Sequence, residues 1–283
     1  MKQHAAGHAS GRRVRAEARQ ALKWFAATAD RFRPRTSGVV VLIYHRVGGN
    51  SGLELDLPVA RFTEQMAWLA DRGLLTSLDA GLDDLARGQA AARDRVVVTF
   101  DDGTRDFVDH AMPVLAQYRV PVVLYLATGF VDGNKPLPYG APPVSWSGLK
   151  DALAGGLVTV GSHTHTHALL DRLAPSEIAR ELDTSRRLIE DHLGVSPEHF
   201  AYPKALPGSP PAEAAVRERF RSAALAGTRL NRFGDTDPYR LARSPVQASD
   251  GMRWFRAKAR GGMELEDSVR RALNRVRHRT AVT

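Results

Sequence analysis

Val96-Val97-Val98-Thr99-Phe100-Asp101-Asp102-Gly103 is the stretch on which the fold turns. Val96 to Phe100 are residues that favour extended chain, and they do not alternate with polar ones. A run of this kind is buried on both faces, which points to a parallel strand covered by helices. Two carboxylates and a glycine follow at its end. In α/β folds the carboxyl end of the strands carries the chemistry. Neighbouring side chains on extended chain point to opposite sides, so Asp101 and Asp102 can serve one site in different ways. Taken alone, the stretch also fits a strand closed by an Asp-Gly turn.

A second strand end changes that balance. Leu157-Val158-Thr159-Val160-Gly161 runs into Ser162-His163-Thr164-His165-Thr166-His167, so three of the ten histidines fall within five residues. His163 and His167 are four apart, a spacing that brings both imidazoles to one side if the segment makes a helical turn. Histidine is largely neutral near pH 7 and offers a nitrogen to a metal.

Thr99-Phe100-Asp101-Asp102-Gly103 and His163-Thr164-His165-Thr166-His167 together resemble the TFDDG and H-[ST]-x-x-H motifs of the polysaccharide deacetylases, carbohydrate esterase family four. The resemblance runs from about residue 39 to 262. It implies a distorted, incomplete (β/α) barrel of about seven parallel strands. It implies a metal held by Asp102, His163 and His167, with Asp101 as general base. Leu42-Ile43-Tyr44-His45 resembles the catalytic-histidine motif of the branch in which that motif is permuted to the start of the chain. That makes His45 the general-acid candidate. Leu241-Ala242-Arg243-Ser244-Pro245-Val246 resembles a late family segment, in which Arg243 either orients Asp101 or is a surface arginine. The family's tyrosine-proline is present as Tyr202-Pro203, but Lys204-Ala205-Leu206-Pro207-Gly208 departs from what usually follows.

The rest of the chain alternates strand and helix patterns, as a barrel requires. Strands are expected near 39–44, 121–127, 157–161, 199–203 and 222–226. Helices are expected over 60–73, 79–87, 106–118 and 176–193, and Pro113 is a kink candidate in the third. The glycine- and proline-rich 132–143 reads as a loop forming a groove wall. Trp146, just beyond it, suits core packing and sugar stacking equally.

The 283 residues are 43% hydrophobic and 25% charged, enough for one large domain. There is no cysteine, so any metal must use His, Asp or Glu. Residues 1–35 hold nine Lys/Arg against two acids, and 253–283 nine against three. The net charge of +9 thus belongs to the two ends, which argues against a nucleic-acid groove through the body. Three parts follow: a basic amphipathic extension over 1–36, a catalytic domain over 37–262, and a basic helix and tail over 263–283. In the first, Leu22, Phe25 and Phe32 lie on one face. That face either docks on the domain or meets an anionic membrane. No secretory signal is evident, so the expectation is a cytoplasmic protein, in peripheral contact with the membrane in the second case.

A catalytic zinc site uses three protein ligands and leaves a position open. The ion would be Zn2+ or another divalent metal such as Co2+, Ni2+ or Mn2+. The reaction class is metal-assisted amide hydrolysis. A backbone N–H near Tyr202 or Lys204 could serve an oxyanion. The resemblance makes the substrate an N-acetylated poly- or oligosaccharide. Two other readings stay open. One is hydrolysis of a small cyclic or linear amide on the same fold. The other is a non-enzymatic, metal-stabilised protein that binds a membrane or polyanion, which would need a fourth ligand such as His165.

Overall fold

The computed structural model describes residues 37–88 and 95–264. Seven strands form its centre: β1 (Gly38–Tyr44), β2 (Arg95–Phe100), β3 (Val122–Leu126), β4 (Val158–Ser162), β5 (His199–Ala201), β6 (Ser222–Ala226) and β7 (Leu241–Pro245). All pair in parallel in chain order, and β7 returns to β1 through Val41↔Arg243 and Leu42↔Ser244. The ring is closed with one strand fewer than the usual eight. Its distortion is concentrated between β4 and β5, which pair only at Ser162↔Phe200. A two-residue strand, Asn231–Arg232, adds antiparallel to the start of β1. The Asn231 side chain bonds Val39 O at 3.0 Å and Ala242 O at 2.9 Å, and accepts from Ala242 N at 2.8 Å, which stitches the β1–β7 seam.

Alternation along each strand divides the core in two. Val40, Leu42, Tyr44, Val96, Val98, Phe100 and Leu124 face outward and are fully buried under helices. The covering helices are α1 (Val59–Ala70), α3 (Met112–Gln117), α4 (Trp146–Ala154) and α7 (Gly251–Lys258); α5 (Pro175–Leu193) and α6 (Pro210–Arg219) complete the layer. Phe62 and Phe107 pack edge-on against the Phe100 ring at 5.7 and 5.1 Å, anchoring the strand that carries the two aspartates. Val39, Val41, Val97, Val123 and Tyr125 face inward. The helix between α1 and β2, α2 (Leu78–Arg87), plugs this interior with Leu78, Leu82 and Leu85. The sequence pattern anticipates that helix but not its place across the amino-terminal mouth.

The stretch expected as one helix over 106–118 has two parts. Phe107–Ala111 is a wide turn closed by Met112 N–H on Phe107 O, and α3 follows. Pro113 has no N–H for the Asp109 carbonyl, so an ordinary turn would leave that carbonyl unbonded; widening the turn is the relief. The amphipathic extension expected over 1–36 lies outside the described residues, as does nearly all of the helix and tail expected over 263–283. Among the described residues, no helix is long and apolar enough to cross a membrane.

Gly161 sits in β4 where a Cβ would lie 2.6 Å from the Tyr125 ring and 2.8 Å from His199 O. Gly161→Ala is expected to cost about 1–3 kcal/mol through overpacking. A lowered urea midpoint with an unchanged m-value checks this. An unchanged midpoint would mean that the Tyr125 ring yields freely.

Candidate metal centre and active site

The carboxyl ends of β1, β2 and β4 deliver His45, Asp101-Asp102 and His163 to one mouth of the barrel. Asp101 N donates to Tyr44 O at 3.0 Å, which sets Asp101 beside His45. Val97 and Thr99 face inward, and Asp101 continues that alternation. Strict alternation would turn Asp102 outward. Instead Asp102 is left-handed, with φ 76°, and Gly103 follows at 85°. The chain reverses, and both carboxylates face the mouth. Gly103 is required twice over, since a Cβ there would also lie 2.6 Å from Leu126 Cδ2.

Asp102 Oδ1 lies 3.6 Å from His163 Nε2 and 3.4 Å from His167 Nε2. Tetrahedral zinc with bonds of about 2.0–2.1 Å needs ligand atoms about 3.3–3.4 Å apart. The three residues therefore fit a divalent cation. His163 Nδ1 is 2.7 Å from Ala201 O, so it donates there and leaves Nε2 free to ligate. Burial first, then the charge of His163, pushes the His167 imidazole down to about 4. It is neutral at physiological pH, as a ligand must be.

The two histidines do not meet through a helical turn. The 163–167 segment is irregular, with left-handed backbone at Thr164 (φ 65°) and His167 (φ 61°). The imidazole centroids are 4.9 Å apart. Glu181 on α5 clamps this loop, accepting from His165 N at 2.9 Å and from Thr166 N and Oγ1 at 2.8 Å each. His165 turns away to Thr128 Oγ1, at 3.1 Å. The cluster thus has three ligands among the described residues, and His165 is not a fourth.

Asp101 is held by a different partner. Arg243 projects from β7 into the ring, fully buried, and donates to both carboxylate oxygens at 2.6 and 2.9 Å. It is no surface arginine. Burial alone would raise the Asp101 carboxyl; the Arg243 guanidinium, with His163 and His45, outweighs it and holds the carboxyl at about 2. Asp101 Oδ2 is 4.0 Å from His163 Nε2, so it borders the metal position. His45 lines an adjoining cleft of about 450 Å³ with Leu53, Leu55 and Val246.

The remaining sequence candidates divide. Lys204 is exposed at the mouth, and its charge bears on His167. Tyr202 is buried against Phe200, and its N–H donates to Ala224 O at 3.1 Å, so the expectation that this N–H serves an oxyanion is corrected. Trp146 stacks on His192 at 4.4 Å and packs on the core, which gives it the packing role. Tyr139 was not anticipated. It lies in the proline-rich loop, and its hydroxyl donates to Asp102 Oδ2 at 2.6 Å. Its burial, then the Asp102 charge, pushes this phenol far up, so it remains a donor. A second group, Asp79, Glu198 and His199, lies at the opposite end of the barrel, where Arg221 already pairs with Asp79.

The profile of the polysaccharide deacetylase family matches residues 88–219. Over that stretch, just under half of its length, the chain is similar to the polysaccharide deacetylases. Similar proteins include YxkH of Bacillus subtilis, 28% identical over 165 residues, 58% of this chain and 55% of that one. The poly-β-1,6-N-acetyl-D-glucosamine N-deacetylase of Staphylococcus aureus is 27% identical over 157 residues, 52% of this chain and 53% of its own length. The chain thus spans about half the length of these two relatives. Among solved structures, IcaB of Ammonifex degensii superposes with a TM-score of 0.71 at 27% identity, covering 80% of this chain and 99% of that one. The match to the polysaccharide deacetylase profile spans both the Asp-Asp-Gly turn and the histidine loop, the two segments that build the cluster.

Arg243→Met leaves Asp101 buried without its cation, at an expected cost of about 3–5 kcal/mol. In the wild-type chain the carboxyl lies below its ordinary value of about 3.9. The pair's contribution is therefore full above about pH 4 and is lost as pH falls towards 2. In the variant, burial raises the carboxyl, so stability falls as pH rises. Urea titrations should show a larger deficit at pH 7 than at pH 4. Equal deficits would mean that Asp101 has found another partner.

Proposed function

We propose that the protein is a metal-dependent hydrolase that removes N-acetyl groups from hexosamine units of a poly- or oligosaccharide. One observation carries this reading. Two imidazole nitrogens stand 3.6 and 3.4 Å from one Asp102 oxygen, no fourth protein ligand joins the three among the described residues, and an arginine-bound carboxylate and a histidine flank them. A structural metal site would be closed by a fourth ligand. The hexosamine substrate is supported by the staphylococcal relative, whose name states poly-β-1,6-N-acetylglucosamine as its substrate.

Asp102, His163 and His167 would hold the cation, Zn2+ or a similar divalent ion. When bound, such an ion polarises a carbonyl and makes water more acidic. Asp101 stays ionised and oriented by Arg243. Each carboxylate oxygen keeps a second lone pair, so Oδ2 can still accept a proton from water beside His163. Its low basicity suits a transient acceptor that passes the proton on. His45, on the neighbouring strand end, would protonate the departing amine. The cleft beside it, lined by Leu53, Leu55 and Val246, would receive the sugar that carries that amine. Lys204 stands where its charge could favour a developing oxyanion.

Acetate release from β-1,6-linked N-acetylglucosamine oligomers and from chitooligosaccharides, before and after chelation, tests the assignment. Release from either that is lost on chelation and restored by Zn2+ is the expected result. No release from any N-acetylated sugar by a metal-loaded chain would overturn it. Asp101→Asn should keep its metal and lose about two to four orders of magnitude in rate, whereas Asp102→Asn should lose metal as well. The opposite pattern would exchange their roles. His45→Ala should keep its metal and lose about two to four orders of magnitude in rate; an unchanged rate would remove His45 from the reaction.

A further inference from the structure

Asp102 offers two oxygens, and the structure treats them differently. Oδ1 faces His163 Nε2 and His167 Nε2, at 3.6 and 3.4 Å. Oδ2 accepts from the Tyr139 hydroxyl at 2.6 Å. We infer that Tyr139 is a positioning residue that holds Oδ2 and so commits Asp102 to ligate through Oδ1 alone. This rests on the reading of Asp102 as a metal ligand.

The surroundings of Tyr139 are built for that task. Leu137 N donates to Ala141 O at 2.9 Å and Gly140 N to Leu137 O at 2.7 Å, closing a tight turn with Tyr139 at its tip. The chain beyond the turn is zipped to the Asp-Asp-Gly reversal. Arg105 N donates to Pro142 O, and Val144 N to Gly103 O, each at 2.9 Å. The loop is thus tied by backbone bonds to the segment whose carboxylate it restrains. The Arg46 guanidinium lies 5.9 Å from the Tyr139 ring centre. Arg46 is fixed by Asp106 at 2.7 Å, with Asp56 at 3.9 Å. Thr104 Oγ1 donates to the other oxygen of Asp106 at 2.5 Å. Arg46 follows His45, so one braced network joins the general-acid candidate to the aspartate ligand.

An aspartate able to offer both oxygens can fill two coordination positions. Holding one oxygen away keeps a position open for the reacting groups. An outer partner of this kind typically contributes about 10–100-fold to metal affinity or activity.

The test is Zn2+ affinity of the full chain, measured by competition with a chromogenic chelator, for wild type and Tyr139→Phe. Phenylalanine keeps the ring over Arg46 and removes only the hydroxyl. The expected result is about 10–100-fold weaker Zn2+ binding with an unchanged melting temperature of the metal-free chain. Affinity within about threefold of wild type would overturn the inference. So would a fall in the metal-free melting temperature alongside the affinity, because the hydroxyl would then merely support the loop. A wild-type chain that takes up no Zn2+ would overturn the metal-site reading itself, a failure separable from the other two.

Discussion

The site depends on a salt bridge buried inside the barrel. Arg243 and Asp101 meet through two short hydrogen bonds at positions with almost no solvent access. Removing two charges from water costs several kcal/mol each, and only close, bidentate pairing offsets it. Arg243 also donates to Thr99 Oγ1 at 3.2 Å, and its guanidinium lies 5.0 Å from the Tyr125 ring centre. Thr99 in turn donates to Leu42 O at 2.8 Å. One guanidinium on β7 therefore orders residues of β2 and β3 and, through Thr99, the backbone of β1. The aliphatic layers beneath, closed by α2, exclude water from below. The pair survives because the barrel is closed, and the mouth is ordered because the pair fills it.

Around that fixed point the residues of the candidate metal cluster are placed by strained backbone. Asp102, Thr164 and His167 all carry positive φ, which for residues with a Cβ costs of order 1–3 kcal/mol each. Local chemistry offsets the strain. Gly103 and the zipped loop hold the Asp102 reversal. Glu181 draws the histidine loop together with three bonds, and the Ala201 carbonyl fixes the His163 ring. Without these partners the loops would relax towards ordinary geometry and the ligand atoms would separate.

The sequence showed the strands well because barrel strands are buried on both faces and read as unbroken apolar runs. Val96 to Phe100 and Val39 to Tyr44 are of this kind. Even β5, only three residues long, was legible from its position before Tyr202-Pro203. The cluster of Asp102, His163 and His167 was legible because its members sit at strand ends or within a few residues of one. What stayed hidden depends on long-range packing. Nothing in Leu78 to Arg87 tells a covering helix from a plug; only closure of the ring decides. Tyr139 lies 37 residues from Asp102, within a stretch whose prolines and glycines announce a loop and nothing more. The left-handed turns at Thr164 and His167 were masked by a spacing that suits a helix equally well. Tyr202 failed as a candidate because its N–H was taken by a neighbouring strand, a fact of register and not of local sequence.

Two adjacent aspartates at one mouth pose an electrostatic problem that the fold resolves by giving each a separate set of partners. Left together in a buried site, like charges resist joint ionisation, and one carboxyl would hold its proton. Arg243 satisfies Asp101 from within the barrel. Tyr139 and the two histidines face Asp102 from the loops above. The Asp102 reversal turns the two carboxylates towards these different partners although their α-carbons are consecutive. Asp101 is thereby turned towards Arg243, with each of its oxygens accepting one guanidinium hydrogen bond. Asp102 is turned towards His163 and His167, the cluster proposed to hold the cation. Two carboxylates given different partners can take different roles in one site. Here the separation is made by where the backbone reverses, one residue after the strand ends.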